Sequence, residues 1–213
     1  MRITSPVMTR NDDIAAENRR AFGLNGVLAF NIISSPGAGK TTLLEALTAE
    51  LGPEMAVIEG DVKTRRDADR IIRAGCRAVQ IETGGSCHLD AAAVKEAFSS
   101  LDKKKPLKYL AIENVGNLIC PSAYDLGEHI KIGMLSLPEG DDKVLKYPSL
   151  FCRIGVLLLT KTDLLPHMDF DMDRVESECI SLNPGVKTFR ISAKTGQGME
   201  ELCSFLRSRW ESL

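Results

Sequence analysis

The sequence predicts a three-layer α/β domain, a mostly parallel central sheet with helices on both faces. Two observations predict it. Apolar runs of strand length lie at 27–33, 55–59, 77–81, 106–112, 131–137, 153–159 and 188–191, most of them closed by polar or glycine-bearing turns. Stretches with helical spacing fall between several of them, at 42–51, 67–76 and 91–100. A strand pattern alternating with a helix pattern signals parallel strands joined by crossover helices.

Residues 1–26 read as a helical extension ahead of one domain at 27–213. Residues 11–22 hold helix formers with Ile14, Ala21 and Phe22 on one face, and Gly23 or Gly26 ends the helix. The expected packing is on the sheet edge. The run at 27–33 leads into Ser34-Ser35-Pro36-Gly37-Ala38-Gly39-Lys40-Thr41, and Thr42 continues into a helix. Strand, glycine-rich loop and helix in that order form a phosphate-binding P-loop. Gly37 and Gly39 let successive amides turn toward phosphate oxygens. The helix start adds its dipole, Lys40 reaches the β- and γ-phosphates, and the Thr41 hydroxyl holds Mg²⁺. Ser34 stands where the general pattern has its first glycine, so it must fit a non-glycine conformation.

The strand at 55–59 runs into Gly60 and Asp61. A carboxylate there lies near the nucleotide crevice, as a residue orienting Mg²⁺-bound or attacking water, with helix capping as the other reading. After the strand at 77–81, the loop Thr83-Gly84-Gly85-Ser86-Cys87-His88 precedes an alanine-rich helix. A helix start lowers a thiol pKa, so Cys87 is a candidate thiolate ligand with the His88 imidazole beside it. The strand at 106–112 ends in Glu113-Asn114-Val115-Gly116. Glu113 would hold Mg²⁺ through water, and the Gly116 amide would sense the γ-phosphate, which makes the segment a switch. Cys120 follows four residues later. Cys87 and Cys120 are either metal ligands or buried thiols, with His88 then a loop residue facing solvent. Residues 138–148 read as an exposed loop.

The run at 153–159 leads into Thr160-Lys161-Thr162-Asp163, similar to the guanine-recognition motif [NT]KxD. An Asp163 carboxylate accepts from N1–H and the 2-amino group of guanine, donors that adenine lacks. The Lys161 stem covers the base, and Ser192-Ala193-Lys194 matches the segment whose amide meets guanine O6. Met199, Leu202, Cys203, Leu206 and Trp210 form the core stripe of a closing helix. Cys76, Cys152, Cys179 and Cys203 read as core thiols, and His129 and His167 as exposed.

Composition narrows the function classes. The 213 residues are 44% apolar and 26% charged, as in a globular protein. A net charge of −2 and a pI near 6.0 oppose general nucleic-acid binding. No apolar run approaches the roughly 20 residues of a membrane span, and no signal-peptide core is visible, so the expected location is cytoplasmic. Six scattered cysteines then read as thiols.

Together these segments resemble the hydrogenase nickel-incorporation GTPases, the HypB family of the SIMIBI class of P-loop proteins. The resemblance rests on SSPGAGKTTLLE from Ser34, EGDVKTRRDADRI from Glu59, GGSCHLDAA from Gly84, ENVGNLICPSAYDLGE from Glu113 and EGDDKVLKYP from Glu139. It implies GTP binding and slow hydrolysis coupled to nickel delivery to a hydrogenase large subunit, with a maturation accessory protein as partner. It also implies a homodimer favoured by GTP and metal, and a Ni²⁺ or Zn²⁺ site at Cys87, His88 and Cys120. The chain has no N-terminal Cys-x-x-Cys-Gly-Cys motif or His-rich tract, so it gives no support for a second nickel site or a storage role. Glu82 and Thr160 depart from the family's commoner Asn, and Thr160 implies looser bracing of the base loop. Two alternatives stay open: a nickel or zinc carrier that needs no turnover, and a P-loop kinase of small molecules.

Overall fold

The structure is a computed structural model that describes residues 6–61, 66–102 and 105–213; the side chains of 6, 7, 61 and 66 also lie outside the description. Helix α1 (Pro6–Leu24) leads into β1 (Leu28–Ser34), the P-loop and α2 (Lys40–Leu51). Then come β2 (Met55–Asp61), α3 (Arg66–Arg73), β3 (Arg77–Glu82), α4 (Ala91–Ser100), β4 (Tyr109–Glu113) and the single turn α5 (Cys120–Ala123). The second half holds β5 (Ile130–Ser136), the short α6 (Lys143–Lys146) and α7 (Pro148–Phe151), β6 (Val156–Thr160), α8 (Met172–Leu182), β7 (Lys187–Ile191) and α9 (Met199–Glu211). The strands form one sheet in the order β3-β2-β4-β1-β5-β6-β7, every neighbouring pair parallel.

Parallel strands with helices on both faces must be apolar on both sides. β1, β4 and β6 are buried at every position. On one face Leu43, Leu44 and Leu47 of α2 pack with Leu202 and Leu206 of α9; on the other, Phe22, Val94 and Phe98 pack over Ala29, Ile58 and Ile112. The chain leaves β1 toward β2 on one side and later returns to β5 on the other. The crevice at the carboxyl ends of the strands therefore opens at the reversal point beside β1, where α/β sheets bind ligands.

Several expectations change. Helix α1 does not lie on a sheet edge. It packs across α4 and the central strand β1 through Asn11, Ala15, Asn18 and Phe22, while Ile14 and Ala21 are half-buried. Asn18 donates to Ala91 O at 2.8 Å and to Leu126 O at 3.0 Å, and Asn11 donates to Asp125 O at 2.8 Å, so polar side chains fix that face. Residues 138–148 are not an open loop. A capping box at Ser136 and Glu139 starts a 3₁₀ turn, and Val144 of α6 is buried. Cys152 is exposed, because it lies past the end of α7 and before β6, whereas Cys76, Cys179 and Cys203 are core thiols. His129 is half-buried, its Nδ1 accepting the Ala29 amide at 3.0 Å.

Candidate functional site

The P-loop bends at Gly37 (φ 80°) and Gly39 (φ 98°), left-handed conformations that favour glycine. Ser34 needs no such freedom: it is the last residue of β1, fully buried, and its hydroxyl donates to Ser35 O. Lys40 opens α2 and folds back to donate to Ser34 Oγ at 3.0 Å. The serine that replaces the first glycine thus accepts from the P-loop lysine. Pro36, Gly37, Gly39, Lys40, Thr41 and Thr42 line one side of a cavity of about 460 Å³. Glu59, Gly60, Glu113 and Gly116 line the other. Thr41 Oγ1 donates to Glu113 Oε1 at 3.5 Å across the β1–β4 pair. A hydroxyl and a buried carboxylate converging there suit a hard divalent cation such as Mg²⁺. Gly116 lies against the P-loop so closely that a Cβ would stand 3.0–3.1 Å from Pro36. The Asp61 backbone closes β2 at the same crevice, but its side chain lies outside the described residues.

A second cavity, about 250 Å³, adjoins the P-loop and is lined by Ala38, Gly39, Thr42, Asp163, Ser192, Ala193 and Lys194 among others. Ser192 Oγ donates to Asp163 Oδ1 at 2.7 Å and so orients the carboxylate. Lys161 takes φ 60°, the sole positive φ at a non-glycine among the described residues, and its ammonium donates to Gly37 O at 2.8 Å. That strain is local and held by the contact with the loop it covers. Thr160 Oγ1 donates to Ala38 O at 3.1 Å. The expected loosening is therefore not what the structure shows: the threonine hydroxyl braces the P-loop directly.

The third group lies beyond Gly116. Cys87 is exposed, and its carbonyl accepts from Asn117 Nδ2 at 3.4 Å. The Cys120 side chain, at the start of α5, lies near enough to act on the Cys87 thiol. Cys87 Sγ is 3.6 Å from His88 Nδ1. The His88 ring is turned to stack on Tyr124, with centroids 3.8 Å apart. Among the described residues the three donors do not close into one ready-made metal cluster. Nor does a helix start depress the Cys87 pKa. α4 begins at Ala91, capped by Asp90, and the neighbouring Cys120 thiol raises Cys87 above the usual thiol range. Burial holds the His88 imidazole below its usual pKa, the neutral and ligating side, against the opposing charge of Asp90.

Three participants lie within the quoted segments but receive no role from the sequence. Arg70 of α3 lines the phosphate cavity, its guanidinium held by Glu45 at 2.6 Å and by Asp67. Asn114, next to Glu113, accepts the Leu89 amide at 3.2 Å and the Val115 amide at 3.0 Å, and donates to Asn31 Oδ1 at 3.2 Å. Tyr124 holds His88. Asn31, the partner of Asn114, is visible in the sequence as an amide inside an otherwise apolar run.

A phosphate cradle on the central strand, with a second cavity behind it lined by a carboxylate and a braced lysine, defines a nucleotide-binding P-loop protein. Residues 28–190 match the family model of the CobW/HypB/UreG nucleotide-binding domain. The chain is 46% identical over 208 residues to the hydrogenase maturation factor HypB of Rhizobium leguminosarum bv. viciae, covering 97% of this chain and 69% of that one. A crystal structure of HypB from Helicobacter pylori in complex with nickel superposes with TM-score 0.91 at 40% identity, covering 95% of this chain and 96% of that one. The hydrogenase maturation factor HypB of Archaeoglobus fulgidus gives 0.87 at 36%, covering 95% and 99%. The chain belongs to the HypB family. No described helix is long and apolar enough to cross a membrane.

Proposed function

We propose that the protein is a GTP-hydrolysing nickel metallochaperone, coupling nucleotide state to metal delivery in the maturation of a [NiFe]-hydrogenase large subunit. One observation supports the coupling: Cys120 lies near Cys87 and is carried by the segment that starts at Glu113 and packs Gly116 on the P-loop. Asp163, with Lys161 and the 192–194 segment, selects guanine. The P-loop amides of 35–39, with Lys40, bind the β- and γ-phosphates. Thr41, Glu113 and Asp61 hold Mg²⁺, which when bound neutralises phosphate charge. Asp61 orients water, and the Gly116 amide reports the γ-phosphate. Arg70 is tied to Glu45 and is not poised as an arginine finger, and turnover is slow, on the order of 10⁻⁴–10⁻² per second.

Nickel or zinc is cargo at Cys87, His88 and Cys120. Three donors leave a tetrahedral ion one ligand short, to be filled by water or a second subunit. GTP and metal therefore favour a homodimer, and a maturation accessory protein and the large subunit receive or supply the metal. The protein acts in the cytoplasm.

The test is equilibrium dialysis of Ni²⁺ and Zn²⁺ together with solution mass, in GDP and in a non-hydrolysable GTP analogue, on the intact chain and on Cys87→Ala. The expected result is metal affinity and dimer mass that both change with nucleotide and are lost in Cys87→Ala. Equal affinity in the two nucleotide states refutes the coupling. Nickel delivery that survives in full in Lys40→Ala favours a carrier without turnover. Tight ATP binding with no preference for GTP favours the kinase.

A further inference from the structure

At the amino ends of β5, β6 and β7, on the opposite side of the sheet from the nucleotide loops, lies a groove of about 810 Å³. Five basic side chains line it: Arg19, Lys131, Arg153, Lys187 and Arg209. Two carboxylates, Asp125 and Glu128, share the lining, and each already faces a cation: Arg19 meets Asp125 at 2.7 Å and Lys131 meets Glu128 at 3.4 Å. Among the described residues Arg153 joins no ion pair and donates to a backbone oxygen, Ser122 O, at 3.3 Å. Lys187 and Arg209 are exposed and join no ion pair among the described residues. A chain of net charge −2 thus gathers an excess of positive charge in one concave place.

The backbone sets the spacing of these cations. Gly155 N donates to Lys131 O at 2.8 Å, and Lys187 N donates to Gly155 O at 3.0 Å, so the three strand starts are tied side by side, with Lys187 in register with Val156 and offset by one residue from Lys131. Lys131 and Lys187 are therefore two strand spacings apart, roughly 10 Å. Gly155 between them leaves the groove floor bare. Nothing in its backbone demands glycine: its φ is not positive, and a Cβ would meet nothing nearer than Ile130 Cγ2 at 3.6 Å.

We propose that this groove is a docking site for an acidic, extended peptide segment of a partner protein. A free phosphate meets one or two such cations at a time. A strand-like segment with acidic residues at alternate positions presents its carboxylates on one face roughly 7 Å apart, so more than one can meet the cations that Arg153, Lys187 and Arg209 offer along the groove. Nucleic acid is the poorer fit, because the chain as a whole repels a polyanion. The site is separate from the nucleotide and metal residues and does not depend on their proposed roles.

The test uses the full chain loaded with GDP and a fluorescein-labelled decapeptide of alternating Glu and Ser, read by anisotropy. The expected result is saturable binding that weakens with added salt and falls at least about tenfold in Lys187→Glu/Arg209→Glu. Gly155→Leu, which fills the floor without changing charge, should weaken it as well. Unchanged binding in the charge-reversal pair overturns the proposal, and so does displacement of the peptide by inorganic phosphate at an equal concentration of anion. Tighter binding of a DNA duplex than of the peptide also overturns it. If Gly155→Leu does not fold, the charge reversals decide, since both sit on exposed side chains.

Discussion

Leu89 and Asn114 are joined directly: the Leu89 amide donates to Asn114 Oδ1 at 3.2 Å, in the buried wall between two loops. Leu89 ends the loop that carries Cys87 and His88. Asn114 separates Glu113 from Val115 and Gly116. One side chain thus ties the thiol loop to the phosphate-facing segment, and through Asn31 to Glu128 as well, by bonds of 3.2 Å each. It is a physical link between two sites whose occupancies are proposed to be coupled.

Asn114→Ala should therefore weaken that coupling. It leaves the Leu89 and Val115 amides without their acceptor, at about 1–3 kcal/mol per buried group. The ratio of Ni²⁺ affinities between a GTP analogue and GDP should fall toward one. Asn31→Ala is the control. It disturbs the same buried chain but leaves the Leu89 bond in place, so the ratio should persist. Dialysis with both nucleotides, alongside thermal melts, checks this; a ratio unchanged in Asn114→Ala removes the link.

The proposed base selection rests on the Asp163 carboxylate, which Ser192 holds at 2.7 Å. Asp163→Asn places an amide donor where guanine needs acceptors. Losing two bonds to a charged group at about 1.5–3 kcal/mol each predicts a fall in GTP affinity of roughly a hundredfold or more. Xanthosine triphosphate carries an oxygen in place of the 2-amino group and should gain relative to GTP. Competition against a fluorescent guanine nucleotide measures both. Unchanged GTP affinity would show that the second cavity does not read the base.

What the sequence disclosed was chemistry written in contiguous residues. The P-loop, the Glu113 segment and the Asp163 and Ser192 motifs each sit beside their own strand, so local pattern places them on the sheet. Features that depend on distant contacts were not legible. Thr160 braces Ala38 from the far end of the chain, and Tyr124 stacks on His88. Polar composition at 138–148 hid a segment anchored by Val144, and His129 gained a backbone partner in Ala29 that no spacing reveals.

Thiol chemistry tests the cysteine assignments independently of any ligand. Burial pushes Cys179 up to about 12 and Cys203 up to about 11, and raises Cys76 as well. Cys87 and Cys152 are exposed, and Cys120 is half-buried. A disulfide reagent at mildly alkaline pH should therefore modify three thiols in the native protein and the other three only after unfolding. Added Ni²⁺ should protect Cys87 and Cys120 while leaving Cys152 reactive. Mapping by mass spectrometry settles the order; early labelling of Cys179 or Cys203 would contradict the packing of α8 and α9.

The pair that ties α1 to the loop before β5 should give the protein an acid-sensitive contact. Arg19 Nη2 reaches both Asp125 oxygens, at 2.7 and 2.8 Å. Burial works to raise the Asp125 pKa, but the Arg19 guanidinium and the Gly127 amide outweigh it, and the net shift is downward from 3.8. A folded-state pKa below the unfolded value contributes stability above the unfolded pKa and loses it as pH falls through the folded one. The loss should therefore begin near pH 4 and continue below it. The two side chains are 42% and 41% exposed, so solvent screening holds the contribution to about 1 kcal/mol or less, a few degrees in melting temperature. Asp125→Asn should melt slightly lower than the parent at neutral pH and converge with it as the pH drops below the folded pKa. Melting curves that stay parallel from neutral to acid pH would show that this ion pair does not hold the helix in place.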